Sequence, residues 1–412
     1  MKIGEFAKKF HVSIDTVRFY IEKGLLIPEK VNTQYRLNTI CLEDMSLINE
    51  LKQYHFSLNE IHKILSLKRL TNNRDKEDMS YFTNLLIEKK RQLIKEKEQI
   101  SNAIQSIDAK VNKKTIENVE QNHQTTGVPL FFMPILSCPN CQSELSLQNA
   151  SILGQHIFEG NLSCGCGYQA EIKEGILITG NLQSSPFKYS IYDIDVAKWN
   201  PDFISLLEKN KLWMYNKLLK QQMENKIVLE TNLEISMMLP KYLSTLSKNT
   251  SYIFTCYSFE MLKTFKKNIE KLHTHLPVLY IVNSDLHLPL AHQSIDIFID
   301  SMSFSQYSLI YKESPIQILI RYLKNNSCII GNTIFYEANS KSLTNIQSIY
   351  PAPNPNAFQP NFLEAELQKH HLKFTSKEIA GFTKNPGSYF TYHDENEKMN
   401  LLAYSAAFLI SK

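Results

Sequence analysis

Apolar residues at helical spacing open the chain: Ile3, Phe6, Ala7 and Phe10 predict one face of a short helix. His11-Val12-Ser13 interrupts that pattern, and Ser13 is a good N-cap for a second helix over IDTVRFYIEK, anchored by Ile14, Val17 and Ile21. Gly24 supplies a stop after it. Two short helices joined by a three-residue turn suit the major groove of DNA, where the second helix brings side chains to base edges. Its polar groups are Ser13, Thr16, Arg18 and Tyr20. Arginine can bond phosphate or guanine edges, whereas the hydroxyls mostly bond phosphate.

Further along, Leu86, Leu93, Ile100 and Ile107 recur every seven residues on a highly charged helix that runs to about Val111. Ile104 and Val111 fill the intervening positions late in the pattern; Lys90 and Lys97 hold them earlier. Such a stripe predicts a coiled coil between two chains, the alternative being a helix packed on its own domain. A polar stretch, NKKTIENVEQNHQTTG, then reads as a linker. Two tight cysteine pairs mark a compact unit, and from about residue 185 strand-like apolar runs alternate with amphipathic helical runs, the pattern of an α/β domain. The expected organisation is multidomain, α and α/β: a helical domain over 1–75 that is either a DNA-reading helix-turn-helix or a plain small bundle with a solvated polar face, a coiled-coil helix over 76–115, a linker over 116–130, a cysteine unit over 131–180 and an α/β domain over 181–412.

Composition changes this picture in three places. Residues 1–70 carry 11 Lys/Arg against 8 Asp/Glu, a balance of +3 that is compatible with nucleic acid without establishing it. Seven cysteines, four of them in two pairs, suit metal better than disulfides. Twelve glycines in 412 residues is about 3%, under half the usual ~7%. The opening MKIGEFAKKF has no apolar core, and no run approaches the ~18 apolar residues of a membrane span, so a cytoplasmic protein with no membrane partner is expected.

The run KIGEFAKKFHVSIDTVRFYIEKGLLIP resembles the opening of the MerR family of transcription regulators, QYRL at 34–37 its wing, and FSLNEI at 56–61 the start of its second helix pair. That resemblance implies a winged helix-turn-helix, adds Tyr35 and Arg36 to the DNA contacts, and implies antiparallel pairing of the long helix in a homodimer. It further implies double-stranded promoter DNA as partner and an effector that changes the dimer's grip, so that RNA polymerase is reached indirectly. The family usually has glycine where this chain has His11, Gln34 and His55. A non-glycine residue there costs about 1 kcal/mol if the turn needs positive φ.

Cys138-Pro-Asn-Cys141 is followed, after 22 intervening residues, by Cys164-Gly-Cys166. Four thiolates in two tight pairs suit a closed, structural, tetrahedral zinc site, with His156 as a substitute ligand in reserve. The text SCPNC…LSCGCGYQAEIKEGILI is similar to zinc ribbons found beside some methyltransferases.

NKIVLETNLEISM (225–237), YIFTCYSFEML (252–262), NSDLHLPLAHQSIDIFIDSMSF (283–304) and NNSCIIGNTIFYE (325–337) resemble the first to fifth strands of a class I S-adenosylmethionine-dependent methyltransferase, a Rossmann-like domain. The family's acid-x-Gly-x-Gly loop lets the cofactor approach the backbone; here it reads Glu230-Thr231-Asn232-Leu233-Glu234. Cys256 replaces the ribose-binding acid, while Asp285 keeps the position that meets adenine. A degenerate pocket with poor affinity for the cofactor follows, and no catalytic residue is assigned. The expected function is ligand-responsive transcription regulation, with an unknown small-molecule effector. The alternatives are an active methyltransferase tethered to DNA and a ligand-free repressor.

Overall fold

The computed structural model describes residues 1–31, 34–71, 76–117, 125–180, 199–231, 238–247, 249–271, 276–350 and 352–409. The chain forms two compact units, Met1–Gln121 and Asn122–Lys412.

In the first unit α1 (Ile3–Lys9) and α2 (Ile14–Glu22) form around a turn at His11, and Ser13 caps α2 by accepting from Thr16 N at 3.0 Å. A hairpin of β1 (Glu29–Val31) and β2 (Gln34–Arg36) follows, pairing Glu29 with Arg36. Asn38 caps α3 (Thr39–Gln53), and Ser57 and Glu60 make a reciprocal capping box at the start of α4 (Leu58–Thr71). The helix α5 (Lys76–Glu117) is 42 residues long. Phe6, Val17, Tyr20, Leu25, Met45, Ile48, Ile61 and Leu65 close one core among α1–α4.

Two of the three turns lacking glycine do need the left-handed region: His11 sits at φ 53° and His55 at φ 61°. Histidine therefore adopts the strained conformation at both. Gln34 lies in β2 and carries no such strain.

The second unit is built on one mixed sheet. Its strands are β3 (Val128–Pro129), β4 (Ser146–Leu153), β5 (His156–Ser163), β6 (Gln169–Lys173), β7 (Ile176–Thr179), β8 (Ile227–Glu230), β9 (Ser251–Cys256), β10 (Val278–Val282), β11 (Ile295–Ser301), β12 (Leu323–Phe335), β13 (Leu372–Thr383) and β14 (Met399–Phe408). They run in the order β13-β14-β12-β11-β8-β9-β10-β7-β6-β5-β3, with β4 on β5. The five strands β12-β11-β8-β9-β10 are parallel, and the order reverses between β8 and β11, as in a doubly wound α/β fold. β14 is antiparallel, inserted between β12 and β13. Covering helices are α6 (Pro201–Leu218), α7 (Leu239–Tyr242), α8 (Phe259–Lys271), α9 (Ser303–Ile310), α10 (Pro315–Leu319), α11 (Lys341–Ile349) and α12 (Phe362–Lys369). Every residue of β10 and β11 is buried, because a parallel strand is covered on both faces.

The third parallel strand lies at 278–282, ahead of the NSDLHLP stretch that sequence similarity pointed to. VLYIV is a short apolar run with no alternation, which periodicity alone does not separate from a helix fragment. The cysteine unit also joins the main sheet: β7 pairs in parallel with β10, placing Leu177 opposite Ile281.

Candidate functional site

On α2, Arg18 is well exposed, and its guanidinium meets Asp15 at 3.2 Å one turn earlier. The Ser13 and Thr16 hydroxyls lie 2.8 Å apart. Tyr35 and Arg36 are exposed on the β1–β2 hairpin. These five reach the surface of the head. Tyr20 does not. It is 2% exposed, packs in the head's core, and its hydroxyl bonds Lys52 Nζ at 3.2 Å. The reason is helical phase: Tyr20 follows Val17 by three residues on the buried stripe, while Ile14, expected as an anchor, is 42% exposed.

A clamp behind α2 escaped sequence reading. Arg69, near the end of α4, donates to the carbonyls of Gly24 and Leu25 at 2.8 and 2.6 Å and to the buried carboxylate of Asp44 at 2.8 Å. Lys68 adds a second contact to Asp44 at 3.3 Å. The exit of α2 is thereby tied to α4. Nothing in the spacing of Gly24, Asp44 and Arg69 announces it.

Along α5, Leu86 packs against the head core. Ile100, Ile104, Ile107 and Val111 are 62, 53, 60 and 56% exposed. Two open hollows flank the near end of this helix, of about 730 Å³ between α4 and α5 and about 520 Å³ between α3 and α5.

In the second unit the Sγ atoms of Cys138, Cys141, Cys164 and Cys166 all lie within 4.8 Å of one another. Cys138 and Cys166 approach to 3.4 Å, as do Cys141 and Cys164. A tetrahedron with metal–sulfur bonds of about 2.3 Å needs edges of about 3.8 Å, so the cluster fits one ion. Each pair sits on a tight turn: Gln142 N donates to Cys138 O, and Gly167 N to Cys164 O, with Gly167 at φ 95°. The shortened Cys-x-Cys knuckle reaches the same point as the longer one. His156 stands outside the group, its Nδ1 3.1 Å from Gly127 O. Burial pushes the Cys138 thiol up to about 12, while hydrogen bonding from Ser143 brings Cys141 down to about 6.

At the carboxyl ends of the parallel strands, Glu230 is fully buried and its carboxylate is spent internally. It accepts from Met238 N at 2.7 Å, Leu239 N at 3.1 Å and the Ser301 hydroxyl. Burial pushes it up to about 7. Cys256 is buried at the end of β9, and its sulfur accepts from Ser258 N at 3.5 Å. Asp285 accepts from His287 N at 3.0 Å and from the Asn283 amide at 3.2 Å, which turns its carboxylate to the loop's own use. Asn232 and Glu234 lie outside the described residues. Asp300, at the end of β11, is a buried acid that sequence reading missed; Ser303, Phe304 N and the Tyr404 hydroxyl donate to it, and burial raises it to about 6.

The MerR HTH family regulatory protein pattern matches residues 1–68. The mercuric resistance operon regulatory protein of Bacillus cereus is 31% identical over 111 residues, covering 26% of this chain and 81% of that protein. The chain belongs to the MerR family. Among solved structures, a SAM-dependent methyltransferase from Aquifex aeolicus is similar over 51% of this MerR-family chain and 99% of its own, at 15% identity and a TM-score of 0.33. Geranyl diphosphate C-methyltransferase from Streptomyces coelicolor A3(2) is similar over 52% and 88%, at 10% identity and a TM-score of 0.39. The doubly wound character rests on the strand order itself. Among the described residues, no helix is long and apolar enough to cross a membrane.

Proposed function

We propose that this chain is a homodimeric regulator that binds promoter DNA through its head, works in the cytoplasm and reaches RNA polymerase through the DNA it holds. Its second unit is a methyltransferase-like domain that senses a small molecule and binds S-adenosylmethionine poorly. The observation that carries the sensor reading is the state of Glu230: its carboxyl group is fully buried and already accepts from two backbone N–H groups and Ser301, so three of its roughly four lone-pair sites are taken and it is poorly placed to hold a ribose. Cys256 at the second contact position is a weak acceptor, and Asp285 is held by its own loop.

The dimer reading is supported by four exposed apolar residues on successive turns of α5, since such a face is stable only when covered. A second α5 supplies that cover in a coiled coil, and the hollows at the near end leave room for its far end. Four convergent thiolates support a zinc ribbon with a closed, structural site.

Titration calorimetry with S-adenosylmethionine on the full chain tests the sensor reading. Binding too weak to measure at about 100 μM is expected; a micromolar dissociation constant sinks it and favours an active, DNA-tethered methyltransferase. For the head, Arg18→Ala should lose about 1–3 kcal/mol of discrimination for the operator over random DNA while the oligomeric state stays unchanged. Full operator preference in that variant would show that α2 does not read bases through Arg18.

A further inference from the structure

Two asparagines in the second unit are fully buried, and their side-chain amides have no hydrogen-bond partner among the described residues: Asn210 on α6 and Asn332 on β12. Both atoms of each amide are unpaired. That is costly, and a leucine would fill either position without the penalty.

Both fall between the same two apolar clusters. On α6 the buried stripe runs Phe203, Leu206, Leu207, Asn210, Met214, Leu218. Its first three apolar members belong to the cluster containing Ile334 and Tyr336, and its last two to the cluster containing Ile299 and Ile330. Asn210 is the one polar residue between them. On β12, Asn332 falls between Ile330 and Ile334 in the same way, on the same face of the sheet. Its neighbours in register are Ser301, the last residue of β11, and Ala403 on β14. Thr231, immediately past β8, is also buried, and its hydroxyl has no partner among the described residues. The polar seam thus lies at the carboxyl ends of β8, β11 and β12, beside the point where strand order reverses and where doubly wound sheets bind ligands. It is separate from Cys256 and Asp285, which stand at β9 and β10 on the other side of β8.

We propose that Asn210 and Asn332 line an internal binding site for a small uncharged molecule that presents a hydrogen-bond donor and acceptor side by side, a carboxamide or an amino-heterocycle edge. This rests on the reading of the second unit as a sensor and names the chemistry of what it senses. A carboxamide offers two donors and one acceptor oxygen, and pairs two-point with such an edge, as asparagine does with adenine in DNA. An uncharged ligand is favoured because Glu230, the charged group at this end of β8, is already consumed by Met238 N, Leu239 N and Ser301.

The test uses the full chain, refolded from guanidinium and dialysed, with nicotinamide and adenine as carriers of the two edges. At least one should raise the melting temperature of the natural chain by a few degrees and leave the Asn210→Leu/Asn332→Leu double variant unmoved. If neither probe shifts the natural chain, or the double variant responds equally, the proposal is overturned. A double variant that melts higher than the natural chain, with no probe response in either, shows the amides to be mere buried orphans. Should the double variant not fold, Asn210→Ala, which only shortens one helix side chain, gives the same readout. Operator affinity measured with and without the active probe separates the two ideas: binding with no change in affinity leaves the site standing and removes the sensor role.

Discussion

Glu230 and Asp300 are buried acids whose local partners only partly offset the cost of ionising inside the sheet, and their proton affinities follow. Each is raised by burial, to about 7 and about 6, from ordinary values near 4. A raised folded-state pKa means that the folded chain holds protons the unfolded chain has released. The stability this contributes is complete below about pH 4 and is lost as pH rises through about 6 to 7. The second unit should therefore be less stable at about pH 8 than at about pH 5, by an amount on the order of a few kcal/mol. Guanidinium midpoints measured across that range should fall for the natural chain. Glu230→Gln should flatten the slope, and an unchanged slope would mean that Glu230 does not titrate there. His11 and His55 show the same lesson in the backbone: a residue's type says little until its φ is known.

At the level of elements, the exit of α2 is held by a part of the chain 45 residues away. Arg69 places two N–H groups on the carbonyls of Gly24 and Leu25, just past the end of α2, and a third on buried Asp44. Arg69→Ala leaves those carbonyls unpaired and Asp44 with Lys68 as its nearest cation. It should cost roughly 2–3 kcal/mol of head stability and weaken operator binding. Denaturation of residues 1–121 and a gel-shift titration measure the two effects, and unaltered affinity would show that α2 needs no clamp. The long helix carries its own test. Ile100→Asp with Ile107→Asp places charge on a face that a coiled coil must bury, so sedimentation should find monomers in place of dimers. A variant that still sediments as a dimer would move the seam elsewhere.

Across the whole molecule, the strand pairing of β7 with β10 makes the thiolate cluster part of the large sheet rather than a free-standing bead. Chelation of zinc should therefore lower the melting temperature of the second unit and loosen hydrogen exchange from β7 back to β4. The head folds around a core of its own, so its melting transition should keep its temperature. Calorimetry of the full chain with and without chelator resolves the two. A shift in both transitions, or in neither, would remove the structural role given to the metal.

What residue order alone made legible was whatever depends on neighbours in sequence. The helix cap at Ser13, the turn between α1 and α2, the apolar repeat of α5 and the two cysteine knuckles are all local, and each was readable from spacing. Loss of the glycines in the loop after β8 was readable too, because a missing residue type needs no coordinates. Tertiary structure alone decided which side of α2 faces inward, and so that Tyr20 is core while Arg18 is surface. Only there do Arg69, Gly24 and Asp44 meet, and only there does one apolar run, VLYIV, prove to be the strand joining the cysteine unit to the sheet. Asn210 was a place where sequence held an unread signal, a polar residue in an apolar helical stripe. Its meaning waited on Asn332, because two residues 122 positions apart share a seam only once α6 has packed across the sheet, and packing is a property of the whole fold.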